Sequence, residues 1–136
     1  MKGLVFHWDE KLTLLADRSA QMRLMKQWTH TAKGFGAYHL CVIGAAPDNY
    51  DSEVTIDRFN TYQEVRDKYR TYTYVVIINS GQDVESVKFP EGDVMFVVGS
   101  NYSDPVVNDG DVTVGISGSI PLYDVIAAGI VLHKAQ

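Results

Sequence analysis

The sequence has one cysteine, Cys41, and no apolar run near the roughly 20 residues that a membrane-crossing helix needs. A single cysteine excludes an internal disulfide and every CxxC redox or metal pair. Cys41 sits in the apolar run AYHLCVIG (37–44), which predicts a buried, reduced thiol. The opening MKGLVFHWDEK has no long apolar stretch ahead of a small-residue cleavage site, so no signal peptide is expected and the protein reads as soluble and cytoplasmic. Also missing are GxxxxGK(S/T) for nucleotide phosphates, GxGxxG for dinucleotides and the HExxH zinc motif. His7, His30, His39 and His133 are not spaced as a metal cluster; His39, on an apolar run, reads as structural, and no metal is expected.

Positive charge is scarce as well. Lysine and arginine number 12 against 17 acidic residues, a net charge of −5, which argues against non-specific nucleic-acid binding. The distribution tempers the sum: Arg18, Arg23, Lys26, His30 and Lys33 share one segment, Arg66, Lys68 and Arg70 another. Acidic residues gather in 46–57 and 83–111, so a local basic face remains open beside the simpler reading of two solvated helix faces.

What is present is an ordinary globular balance, 46% hydrophobic and 21% charged, sufficient over 136 residues to bury one core. With no internal repeat, low-complexity tract or dividing linker, residues 1–136 read as a single domain. LVFHW (4–8) predicts a strand, and Ser19 to about Lys33 a helix capped by Ser19, with Met22, Leu24, Met25 and Trp28 on its apolar side. AYHLCVIG is a second strand, Thr61 caps a short helix through Arg70, and YTYVVII (72–78) is a third strand. DVMFVVG (93–99) and DVTVGI (111–116) follow, and a last helix begins near Pro121. Strands alternating with helices, several of them apolar throughout, predict an α/β fold whose mostly parallel sheet carries helices on both faces.

Ligands of such sheets bind beyond the carboxyl ends of the strands, which here means IINSGQD (77–83), VVGSNYSDP (97–105) and VGISGSIP (114–121). GISGS is not a hydrolase elbow, because Ile116 stands where the nucleophilic serine would be. Gly99 and Gly115 each follow an apolar strand directly, and the helix after them carries Ala127, Ala128 and Gly129 in a row.

This order of motifs resembles the SPOUT superfamily of RNA methyltransferases. VMFVVGS (94–100) followed by DVTVGISGSIPLYDVIAAGIVLHKA (111–135) is similar to that family's closing segment. HTAKGFG (30–36) is similar to the end of its first helix, and TAKGFGA with DVIAAGIVLHK looks particularly like the archaeal-type tRNA T-loop cytidine ribose 2′-O-methyltransferases. The resemblance implies a C-terminal trefoil knot, the last helix passing through the loop around 97–105. It further implies a homodimer through that helix, with Ala127, Ala128 and Gly129 allowing close approach and Leu122, Ile126, Ile130 and Val131 filling the seam.

S-adenosylmethionine is the implied cofactor and RNA, most simply tRNA, the implied partner; no membrane is involved. The resemblance puts Gly99 and Ser100 in the turn beside the cofactor and wraps Gly115, Ile116, Ser117, Gly118 and Ser119 around it. Backbone groups near Ile116, Ile120 and Leu122 would meet the adenine. The catalytic arginine position of the T-loop group matches Arg23, and that of the wider ribose-methylating family matches His30; either would orient the 2′-hydroxyl. Ser100 and Asn101 stand where a glutamate is usual. A protein of the same fold that binds the cofactor or a nucleotide without transferring methyl is therefore the rival reading, and an unknotted α/β domain a third.

Overall fold

β-branched and aromatic runs separated by polar helices form one sheet in the computed structural model of the chain, which describes residues 1–48, 53–99, 105–116 and 124–136. In chain order the elements are β1 (Lys2–His7), α1 (Glu10–Leu15), α2 (Arg18–Gly34), β2 (His39–Ile43), β3 (Thr55–Phe59), α3 (Tyr62–Lys68), β4 (Thr73–Asp83), β5 (Val94–Val97), β6 (Val112–Gly115) and α4 (Asp124–Lys134). The strand order is β3-β2-β1-β5-β4-β6, and every pairing among the described residues is parallel. All strands therefore end on the same edge of the sheet.

Both faces of the central strands are covered, so β1, β2 and β5 read as continuous apolar runs. Along β1 the alternation of side chains sends Leu4 and Phe6 to the α2–α4 face and Val5 to the α3 face. On the first face Met25, Trp28, Thr29 and Ala32 form the buried stripe of α2, and the Phe6 and Trp28 rings stack at 4.2 Å and 8°. Ala128, Val131 and Leu132 of α4 complete that core. On the second face Val65 and Tyr69 cover Val5, Cys41, Val76 and Met95. Cys41 is fully buried, and burial first, then the Asp57 charge, pushes its thiol up to about 12, as inert as its apolar setting predicts.

Several boundaries differ from the sequence reading for local reasons. The cap of α2 is Asp17, whose carboxylate accepts from the Ala20 N–H at 2.8 Å; Ser19 lies inside the helix, its hydroxyl accepting from Arg23 at 2.9 Å. Thr61 does cap α3, accepting from the Glu64 N–H at 3.3 Å. The β4 strand runs on to Asp83 through a bulge, and α1 and β3 were not anticipated at all.

The closing helix uses its small residues within the chain. Ala128 is fully buried against its own sheet, and a Cβ on Gly129 would lie 3.6 Å from both Phe35 and Thr31 of the α2 end. Val131 is likewise in the core, whereas Ile126 is 48% exposed. Ala128 and Val131 are thus unavailable for the intersubunit seam expected of them; of the described seam residues, Ile126, Ala127, Gly129 and Ile130 remain. Pro121 and Leu122 lie outside the described residues, as does part of each loop on which the knot crossing was expected.

Candidate functional site

The strand order brings the ends of β1, β5, β4 and β6 side by side, and with them His7, Gly99, Ile78–Asp83 and Gly115. The His7 N–H points to the Gly99 carbonyl at 3.4 Å, and the His7 Nδ1 donates to the Val98 carbonyl at 3.0 Å. At the other end of the row both Ile77 and Gln82 lie opposite Val114, so residues 78–81 loop out around the end of β6. No side chain fits there: a Cβ on Gly115 would sit 2.6 Å from the Ile78 carbonyl oxygen, and one on Gly81 would sit 2.5 Å from the Val114 backbone. This stretch of the edge is main chain against main chain, closed by the Val84 N–H donating to the Gly115 carbonyl at 3.0 Å.

A cleft of about 980 Å³ opens beside this edge, between α2 and α4. Its floor is apolar, with Phe6, Trp8, Trp28, Phe35, Ile126 and Ile130 among its walls. Its polar groups are few: His7 and Asp9 after β1, Gln27, His30 and Thr31 on α2, and Asp124 and His133 on α4. Asp9 caps α1, accepting from the Lys11 N–H at 2.9 Å with one oxygen, while its other oxygen is buried without a hydrogen-bond partner. A mostly apolar concavity with convergent polar groups is the usual form of a small-molecule or nucleobase site.

Of the residues singled out in the sequence, His30 lines this cleft, exposed at its rim; Arg23 does not line it and projects into solvent, bonded to Ser19. Gly99 and Gly115 lie on the sheet edge, and Ile116 follows directly. Ser100, Ser117, Gly118, Ser119, Ile120 and Leu122 lie outside the described residues. Sequence reasoning passed over His7, Asp9, Asp124 and His133. The signal for His7 was its place at the carboxyl end of an apolar strand, discounted because its spacing from other histidines suits no metal.

On the opposite face two polar networks lie along α3. Arg66 of α3 holds Asp111, just before β6, through both carboxylate oxygens at 3.0 and 3.1 Å, with its guanidinium 3.7 Å over the Tyr74 ring. Burial opposes the charge of Arg66, but its bonds to Tyr62 and Asp111 outweigh this and raise its pKa. Tyr62, acceptor of an Arg66 N–H at 3.3 Å, is pushed up chiefly by burial and in turn lies tilted at 46° to His7, ring centroids 5.8 Å apart. Further out, Asp57 of β3 accepts from Lys68 at 2.7 Å, from Tyr69 and from His39 at 3.3 Å. Among the described residues no cluster of three or more His, Cys, Asp or Glu could hold a metal ion, and no helix is long and apolar enough to cross a membrane.

The backbone arrangement is that of a known class. The SpoU methyltransferase AviRb from Streptomyces viridochromogenes, solved with AdoMet, superposes with a TM-score of 0.70 at 19% identity, over 98% of this chain and 58% of its own. An AdoMet-bound rRNA methyltransferase from Sinorhizobium meliloti gives 0.72 at 17%, over 98% and 55%. A structure concerned with 2-OH methylation of C/U34 on tRNA gives 0.65 at 14%, over 99% and 93%. The chain thus spans less than three-fifths of the first two proteins and nearly all of the third. Its fold is similar to that of these SpoU and TrmH methyltransferase structures. No protein-family model and no curated protein sequence matches the chain.

Proposed function

We propose that this protein is an S-adenosylmethionine-dependent RNA methyltransferase acting on a ribose 2′-hydroxyl, most simply of tRNA. The observation that carries the reading is the row of strand ends, where Gly81 and Gly115 pack main chain to main chain, meeting an aromatic-floored cleft at His7, in a fold shared with enzymes crystallised with AdoMet. The HTAKGFG and DVIAAGIVLHK likenesses support it and favour the T-loop cytidine group.

Backbone around Gly99, Gly115 and Ile116, with Ser100, Ser117, Gly118, Ser119, Ile120 and Leu122, would hold the cofactor, whose sulfonium supplies an activated methyl group without a metal. The chain's own task is then alignment. His30, on the cleft rim, orients the ribose, and Arg23, seven residues or about two helical turns earlier, holds a phosphate. The polar end of the cleft is assigned to RNA and the exposed Ile126 of α4 to a second copy of the chain, in a homodimer whose last helix threads the loop around 97–105.

Isothermal titration tests the reading. S-adenosylmethionine and its demethylated product should bind with a Kd in the micromolar range, about −8 kcal/mol. No heat with either ligand would remove the cofactor, and the reading with it. Binding without transfer to any RNA would favour the rival reading of a cofactor-binding protein, to which the serine and asparagine at 100–101 already lend weight.

A further inference from the structure

The methyl-acceptor hydroxyl must lose a proton, and the structure offers a residue for this that the sequence resemblance did not. Resting on the methyltransferase reading, we propose that His7 is the proton acceptor. Its Nδ1 lies 3.0 Å from the Val98 carbonyl oxygen. A carbonyl can only accept, so Nδ1 carries the ring proton and Nε2 of the neutral imidazole is left as a lone-pair acceptor. Among the described residues no hydrogen bond is made to Nε2.

Place agrees with protonation. His7 is the last residue of β1; its main chain meets the Gly99 turn at 3.4 Å and its side chain lines the cleft together with His30. It is the residue at which the cofactor edge and the cleft join. The ring is half-buried and held from behind by Tyr62, which Arg66 and Asp111 fix in turn. Tyr62 of α3 lies beside the ring, and the other polar groups of the cleft are Asp9 after β1, Gln27, His30 and Thr31 of α2, and Asp124 and His133 of α4. Asp9 and Asp124 are the acidic groups of the cleft in which an imidazolium would form.

The step balances without a further reactant. As the ribose oxygen bonds to the methyl carbon, its O–H bond breaks and the proton passes to Nε2. The sulfur keeps the electron pair of the broken C–S bond and leaves as a neutral thioether, so the single positive charge moves from sulfonium to imidazolium. Nδ1 stays bonded to the Val98 carbonyl throughout, and the added proton returns to water from Nε2. Because the neutral ring is the competent form, transfer falls as pH is lowered.

The informative variant is His7→Asn, whose amide N–H can still donate to the Val98 carbonyl but which has no basic nitrogen. It should bind S-adenosylmethionine as the wild type does, lower kcat on unmodified bulk tRNA by roughly 10²–10⁴-fold, and lose the fall of kcat at low pH. A second readout needs no turnover. In histidine-labelled wild type, two-bond ¹H–¹⁵N spectra should show Nδ1 protonated and Nε2 bare, with the Nε2 resonance moving when bulk tRNA and the demethylated cofactor are added. A ring protonated on Nε2 alone, or a His7→Asn enzyme with wild-type kcat and pH profile, would overturn the assignment and leave the methyltransferase reading standing. A wild type that transfers no methyl overturns both.

Discussion

Asp57 shows how far a single side chain can be read. Burial pushes its carboxyl up, but the hydrogen bonds from Lys68, Tyr69 and His39 and the Lys68 charge outweigh that and hold it below the ordinary carboxylate value. A group depressed in the folded state stabilises it above the unfolded-state pKa and loses that contribution as pH falls through the folded one. The stability difference between wild type and Asp57→Asn should therefore be full at neutral pH and shrink below about pH 4 in urea titrations. A difference that grows toward low pH would contradict the network. For the two residues taken from the resemblance, the proposed function assigns different roles. His30→Ala, at the cleft rim, should lower kcat by roughly 10²-fold, the scale of a misplaced reactant. Arg23→Ala, in solvent, should raise KM and flatten the salt dependence by about one counterion while sparing kcat. Equal kcat losses in both would mean that Arg23 reaches the reacting oxygen after all.

Among the elements, those legible in the sequence are the ones whose environment is uniform. β1, β2, β5 and the first half of β4 are buried on both sides and show as apolar runs; α2 shows because Met22, Leu24, Met25 and Trp28 fall on one helical side. The elements that escaped are half-solvated. The six residues of α1 include no buried one, and Leu14 and Leu15 are 81% and 84% exposed, so no stripe marks it. β3 reads TIDRF because an edge strand can carry Asp57 and Arg58, and Arg58 bonds back to the Ala46 carbonyl. The β4 bulge hid behind NSGQ, which spells a turn. For α4 the composition was legible but its use was not: Ala128 serves the chain's own core. Ala128→Arg should then unfold the monomer, since an unpaired buried charge costs several kcal/mol. Ile126→Asp should stay folded and turn a dimer into a monomer by light scattering. A folded, dimeric Ile126→Asp protein would place the partner elsewhere.

For the whole molecule, charge and composition said little about activity, and the order of short motifs said most. Strand–glycine, strand–glycine, small helix is a topological statement, because a parallel sheet in this strand order must bring Gly99 and Gly115 to one edge. What no linear pattern could supply was the cleft. It draws on β1, α1, α2 and α4, and His7 and His30 both line it although 22 residues lie between them in the sequence. The central claim is that this edge and this cleft carry a methyl group to the ribose of an RNA. Its most direct test is incubation with methyl-labelled S-adenosylmethionine and unmodified bulk tRNA, followed by digestion to nucleosides. The account predicts label in a 2′-O-methylated nucleoside, cytidine if the T-loop likeness holds, and its loss with the His7→Asn protein. Label on a base, or none in any nucleoside from a protein that binds the cofactor, would contradict it.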